Sequence, residues 1–192
     1  MGRKRRESVP DAYHHVYCRG NNRENIFHDE IDMIEVFRLF KMIHEDTPIS
    51  ISAFCIMTNH YHILLKPGEA SISKIMGTFS KRYTDYYNRR YDRVGHVFQQ
   101  RFNSLPIIDS HGILQVSKYI HRNPINTNPP IVPKMEDYHY SSYHYYKNSI
   151  EPPYPYINLH DIPALLPDQN IQLYCKYAET ADEETQFISK NW

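Results

Sequence analysis

The sequence predicts an α+β domain: an antiparallel sheet with helices on one face. Two observations carry this. Short runs rich in β-branched and aromatic residues alternate with long stretches of helical periodicity, and Gly, Asn or Pro punctuate most junctions. Residues 12–19 (AYHHVYCR) are β-rich and end at Gly20, which predicts a strand followed by an Arg-Gly-Asn-Asn-Arg loop. Residues 29–45 open on a capping-type Asp29 and place Ile31, Ile34, Phe37 or Leu39, and Phe40 at helical spacing. Residues 48–56 and 60–66 predict two strands turning near Thr58-Asn59, the second stopped by Pro67-Gly68. Residues 71–91 predict a long amphipathic helix with Ile72, Ile75, Met76, Phe79 and Tyr83 on one face, ended by Gly95. Residues 96–105 predict a fourth strand, and 109–122 a third helix halted by Pro124. The order β-α-β-β-α-β-α is that of a ferredoxin-like domain. Beyond residue 125 the chain is rich in Pro and Tyr, with one candidate helix at 168–181 and no repeat. Residues 1–125 are therefore read as the main domain, with 1–10 as a basic tail. Residues 126–192 are read as an accessory segment packed on it.

Bulk properties narrow the class. A chain of 192 residues suits one domain with a short appendage. No run approaches the roughly 18 apolar residues of a membrane span. The N-terminal MGRKRRESVPD has charge but no apolar core, so it does not read as a secretory signal. Cys18, Cys55 and Cys175 are widely separated, without zinc-site spacing, and read as reduced thiols of a cytoplasmic protein. Formal net charge is zero, but its distribution is uneven: residues 1–105 hold 16 Lys/Arg against 12 Asp/Glu. Arg3, Lys4, Arg5 and Arg6 form one basic cluster. Lys74, Lys81, Arg82, Arg89, Arg90 and Arg93 form a second. Such stripes serve phosphate binding, or they are solvated helix faces; charge alone leaves both open.

The stretch IMTNHYHILL, 56–65, sets two histidines in an apolar strand. On a strand, residues i and i+2 share a face, so His60 and His62 stand side by side while Tyr61 and Ile63 face away. Two neutral imidazoles so placed make a pair of metal ligands, or an incidental pair in a chain with 12 histidines. His14, His15 and His139 read as solvent-facing. In SKYIHRNPI, 117–125, Tyr119 and Asn123 are one helical turn apart and share a face. The Asn123 amide oxygen suits Mg²⁺ or Mn²⁺ beside imidazoles, and the Tyr119 phenol is a nucleophile if its proton can be removed. With 17 tyrosines in the chain, the spacing could also be accidental. Tyr83, Tyr86, Tyr87 and Tyr91 are expected to pack or to touch nucleic acid. The signatures HExxH, GxSxG and the phosphate loop are absent.

Five pieces together resemble one family: HHVYCRGNNRENIF (14–27), MTNHYHILL (57–65), YNRRYDRVGHVFQQRF (87–102), YIHRNPI (119–125) and DYHYSSYHYY (137–146). The sequence resembles the single-tyrosine HUH transposases, most specifically the REP-associated tyrosine transposase-like group. The resemblance implies a ferredoxin-like catalytic domain, commonly dimeric, and a divalent metal on the two HUH histidines. It also implies a helix-borne tyrosine that attacks single-stranded DNA. Carried over by residue, His60 and His62 are the metal pair and Tyr119 the nucleophile. Asn123 stands where the group has a polar residue one turn later. The hydrophobic residue between the histidines is here Tyr61.

The expected partner is a hairpin-bearing single strand, with no membrane. It is expected to dock along the basic helix and the 19–23 loop, using Arg3, Lys4, Arg5, Arg6, Arg19, Asn21, Asn22, Arg23, Lys81, Arg82, Arg89, Arg90, Arg93 and Arg101. Two other readings stay open: a hairpin-binding module without catalysis, and a metal-dependent phosphoesterase using water in place of Tyr119.

Overall fold

In the computed structural model, residues 12–181 are described. The basic cluster at Arg3–Arg6 lies outside them. Four strands, β1 (Tyr13–Arg19), β2 (Ile49–Ile56), β3 (His60–Pro67) and β4 (Asn103–Ile107), form one sheet in the order β2-β3-β1-β4. Every neighbouring pair is antiparallel. The helices are α1 (Glu30–Asp46), α2 (Ile72–Arg90), α3 (Ser110–Arg122), α4 (Tyr143–Asn148) and α5 (Ile171–Glu179). Asp29 caps α1, Ser71 caps α2 and Asp109 caps α3, each side chain accepting from a backbone N–H three residues on.

Side-chain alternation divides the sheet into two apolar layers. Val16, Cys18, Tyr61, Ile63 and Leu65 point to α1 and α2. Ala53, Cys55 and Leu64 point the other way, to Val116, Tyr119 and Ile120 of α3 and to Tyr143, Tyr146 and Tyr174 of the C-terminal segment. The expected helical layer on one face is thus α1 and α2, joined by Tyr156 and Ile157; α3 with Met135, Tyr138, Tyr143, Tyr146, Ile162 and Tyr174 adds a layer on the other. The accessory segment is tied in by backbone: Ser142 N donates to Phe54 O at 3.0 Å, and Ile51 N to Tyr156 O at 2.7 Å.

Three expectations need correction. The buried face of α1 is Met33, Val36, Leu39, Phe40 and Ile43, while Ile31 and Ile34 are exposed. The stripe is set by the stronger set of contacts to α2 and the sheet, where Phe40 stacks on Phe79 with centroids 4.6 Å apart. The fourth strand starts at Asn103, not near residue 96. Val97, Phe98 and Phe102 are buried, but residues 96–102 are irregular, meeting β1 through a Gln99 N to Arg19 O bond of 2.9 Å and Cys18 Sγ to Gln100 O at 3.3 Å, with an isolated bridge from Gly20 to Phe98. Pro106 is tolerated because β4 is an edge strand. Finally, His14 and His15 are buried, not solvent-facing; His139 is exposed as expected.

A buried carboxylate clasps α1 to α2. Asp32 is fully buried and accepts from Tyr86, Tyr91, Arg90 and the His28 backbone N–H. Four donors on one carboxylate offset its loss of water. This accounts for Tyr86 and Tyr91, while Tyr83 and Tyr87 are buried in the core.

Candidate active site

The α3 face of the sheet carries the site. Arg19 pairs across from His60, and Tyr17 from His62. The two strand histidines lie side by side with ring centroids 5.1 Å apart. Tyr61 between them faces the opposite core, edge-on to Phe79 at 5.5 Å. Tyr119, on the last turn of α3, sets its ring edge against His62 at 5.2 Å between centroids. Asn123 caps α3, its Nδ2 donating to the Tyr119 carbonyl at 2.8 Å. Asn123 also lies close enough to the His60 ring and the Tyr119 phenol to shift both, His60 upward and Tyr119 downward. His60, His62, Tyr119 and Asn123 therefore converge within one chain.

Each histidine has one ring nitrogen engaged on its Nδ1 side. His60 Nδ1 lies 2.6 Å from Asn59 Oδ1, and His62 Nδ1 lies 3.1 Å from His15 Nε2. In the proposed metal site, Nε2 of each ring would be the coordinating atom. Burial lowers the pKa of His60 to about 4, the Arg19 charge adding to it and the Asn123 hydrogen bond opposing it. Burial drives His62 well below its usual range, helped by His60, His15 and Arg19. Both rings are thus neutral, the form that binds a metal. Two imidazoles and an amide oxygen fit a mixed-donor divalent site. Among the described residues, no cluster of three His, Cys, Asp or Glu offers an alternative.

Burial raises the Tyr119 phenol above its ordinary range, with Asn123 and Arg19 pulling it down and Tyr17 and Cys55 pushing it further up. The phenol is protonated at neutral pH in this state, so its attack requires added positive charge or proton removal.

The expected nucleic-acid contacts fall into two groups. Arg19 sits on the site face. Asn21, Asn22 and Arg23 form a short turn against the β2–β3 connection: Gly20 N donates to Asn59 O at 2.8 Å and Asn59 Nδ2 to Arg23 O at 3.1 Å. Gly20 is required there, since a Cβ would lie 2.3 Å from Glu24 O. Arg101 is exposed beside the same region, just before β4. Lys81, Arg82 and Arg89 are exposed on α2, behind the sheet from the histidines. Arg90 is held by Asp29 and Asp32, and Arg93 by Glu24 at 3.1 Å. Sequence reasoning missed His15 and Asn59, which hold the rings. Asn59 could have been flagged by its place beside His60; His15 needed the strand register.

A family model described as "Transposase IS200 like" matches residues 8–123. No curated protein matches the chain. Among solved structures, a REP-associated tyrosine transposase bound to a REP hairpin is similar at a TM-score of 0.65 and 18% identity, over 79% of this chain and 89% of that one. A putative transposase from Deinococcus radiodurans R1 is similar at a TM-score of 0.42 and 16% identity, over 63% of this chain and 97% of that one. The first of these likenesses supports the fold, and the family match covers the sheet, Tyr119 and Asn123. The chain belongs to the IS200-like transposase family.

Proposed function

We propose that this chain cuts and rejoins single-stranded DNA beside a hairpin, with Tyr119 as nucleophile. The observation that carries the reading is the convergence of His60, His62, Asn123 and Tyr119 on one face of the sheet. A divalent ion, Mg²⁺ or Mn²⁺, held by His60, His62 and Asn123 would supply the charge that stabilises a phosphate oxygen in the transition state. Arg19, across from His60, adds a fixed cation beside the phosphate. Tyr119 Oη attacks phosphorus in line; its bond to phosphorus forms as the bond to the 3′ oxygen breaks. The phenol loses its proton and the leaving 3′ oxygen gains one. The product is a 5′-phosphotyrosine and a free 3′-OH, and attack by a 3′-OH reverses the step at a new junction. Bond energy is kept in the adduct, so no nucleotide hydrolysis is needed.

The strand is proposed to approach over the Arg19–Arg23 turn, which abuts Asn59 and His60. Its unpaired bases meet Asn21, Asn22 and Arg23, and its backbone meets Arg19 and Arg101. Lys81, Arg82 and Arg89 reach only a stem or flank that wraps behind the sheet. The similar solved transposase, bound to a REP hairpin, supports a hairpin as the partner class.

The test is covalent capture. The protein with Mg²⁺ or Mn²⁺ and a hairpin-bearing single strand should give an SDS-resistant protein–DNA adduct on the peptide containing Tyr119. Free 5′-phosphate product with no adduct would favour a water-using phosphoesterase. Binding with no cleavage of any hairpin would favour a module that only binds.

A further inference from the structure

We propose that His15 is a positioning residue that sets the ring orientation and tautomer of His62, presenting Nε2 of His62 to the metal. This rests on the metal reading of the site. The antiparallel register places Tyr17 opposite His62 and His15 opposite Leu64. His15 and His62 are therefore diagonal neighbours on the same face, close enough for long side chains to meet. Their rings stack with centroids 5.3 Å apart and planes at 25°. His15 Nε2 lies 3.1 Å from His62 Nδ1, and each residue is 1% exposed. The His15 ring also meets the Tyr119 ring edge-on at 5.9 Å.

The chemistry follows from one shared proton. A hydrogen bond between two neutral imidazoles needs one N–H and one lone pair. If His62 Nδ1 donates, its Nε2 carries the lone pair that coordinates, and His15 holds its own proton on Nδ1. If His15 Nε2 donates instead, His62 is protonated on Nε2 and does not ligate. Metal binding therefore selects the first arrangement, and a neighbour able to accept favours it in advance. His15 fills the place that a carboxylate or backbone carbonyl takes behind many metal-bound histidines. A carboxylate there would add a buried negative charge. A second imidazole gives the same acceptor without one, in a layer walled by Leu64, Cys55 and Tyr119.

The experiment reads metal affinity and tautomer, not turnover. Mn²⁺ binding is followed by the free-ion electron paramagnetic resonance signal for wild type, His15→Phe and His15→Gln. His15→Phe should weaken Mn²⁺ binding about 10- to 100-fold. His15→Gln, whose amide oxygen still accepts, should recover most of that loss. In wild type loaded with diamagnetic Mg²⁺, the nitrogen shifts of His62 should show the proton on Nδ1. Unchanged affinity in His15→Phe overturns the proposal alone, as does Nε2 protonation of His62 in the Mg²⁺ form. Failure of wild type to bind either ion overturns the proposal together with the metal reading. The wild-type tautomer measurement decides the matter even if His15→Phe does not fold.

Discussion

Tyr119 is held where burial opposes its ionisation. The pocket that aligns its ring against His62 also strips water from its hydroxyl, and the phenol rises above its ordinary range. Asn123 and the Arg19 charge work the other way. The protein alone thus keeps the Tyr119 phenol protonated, so its proposed attack requires added charge at the site. Tyr119→Phe removes one oxygen with little change in volume. Its cost in stability should be about 1 kcal/mol, read by chemical denaturation. Its covalent adduct with hairpin DNA should vanish while binding persists. Continued adduct formation by the variant would place the nucleophile elsewhere. The pairing of Tyr119 with Asn123 is readable in the sequence because both lie on one helix, where spacing alone fixes a shared face. The same holds for His60 and His62 on one strand. The role of His15 is not readable there, because its neighbour is 47 residues away and is set by strand register.

At the scale of elements, the two long helices show what periodicity settles. Ile72, Ile75, Met76, Phe79 and Tyr83 of α2 are all buried as their spacing predicts. The α1 stripe is offset from its predicted place because apolar residues occur all round that helix: Ile31 and Ile34 lose to Met33, Val36 and Ile43 once α2 and the sheet fix its rotation. The sequence pattern starts β4 too early because Val97, Phe98 and Phe102 are apolar and buried without pairing as a regular strand. The helical basic stripe and the 19–23 turn also differ in what they can do. The turn abuts His60 through Asn59, whereas Lys81, Arg82 and Arg89 lie behind the sheet. Substituting Arg19 and Arg23 should impair both strand binding and cleavage. Substituting Arg82 and Arg89 should weaken binding with cleavage of bound DNA retained. For every phosphate that a variant no longer neutralises, the salt dependence of binding should flatten by about 0.7 in log–log slope. Equal effects of the two pairs on cleavage would show that proximity to His60 does not matter.

At the scale of the whole molecule, Tyr119 meets the His62 of its own sheet, and we propose that it acts within its own chain. A mixture of His60→Ala and Tyr119→Phe proteins should therefore form no adduct. Recovered activity would show that tyrosines are exchanged between copies. The layer that carries Tyr119 also ties the accessory segment to the sheet through a buried histidine. His121 is fully buried on α3, with Nε2 2.7 Å from Ser142 Oγ and Nδ1 2.7 Å from the Tyr174 hydroxyl. Ser142 in turn accepts from Phe54 N at 2.8 Å, so α3, α5 and β2 meet at one imidazole. Burial lowers the His121 pKa from 6.5 to about 3, and burial likewise lowers His14, His15, His60 and His62. A group whose folded pKa lies below its unfolded value contributes fully above the unfolded value. Below pH 6.5 the unfolded chain takes up protons that the fold refuses, so stability falls as pH drops toward 3. His121 steepens the fall by about 1.4 kcal/mol per pH unit where the unfolded form is protonated and the folded form is not. His121→Gln keeps an amide able to meet Ser142 and Tyr174 but cannot titrate. Urea unfolding of the metal-free protein between about pH 4 and 6 should show a pH slope shallower by about one proton than wild type. An unchanged slope would mean that His121 takes up its proton in the folded state.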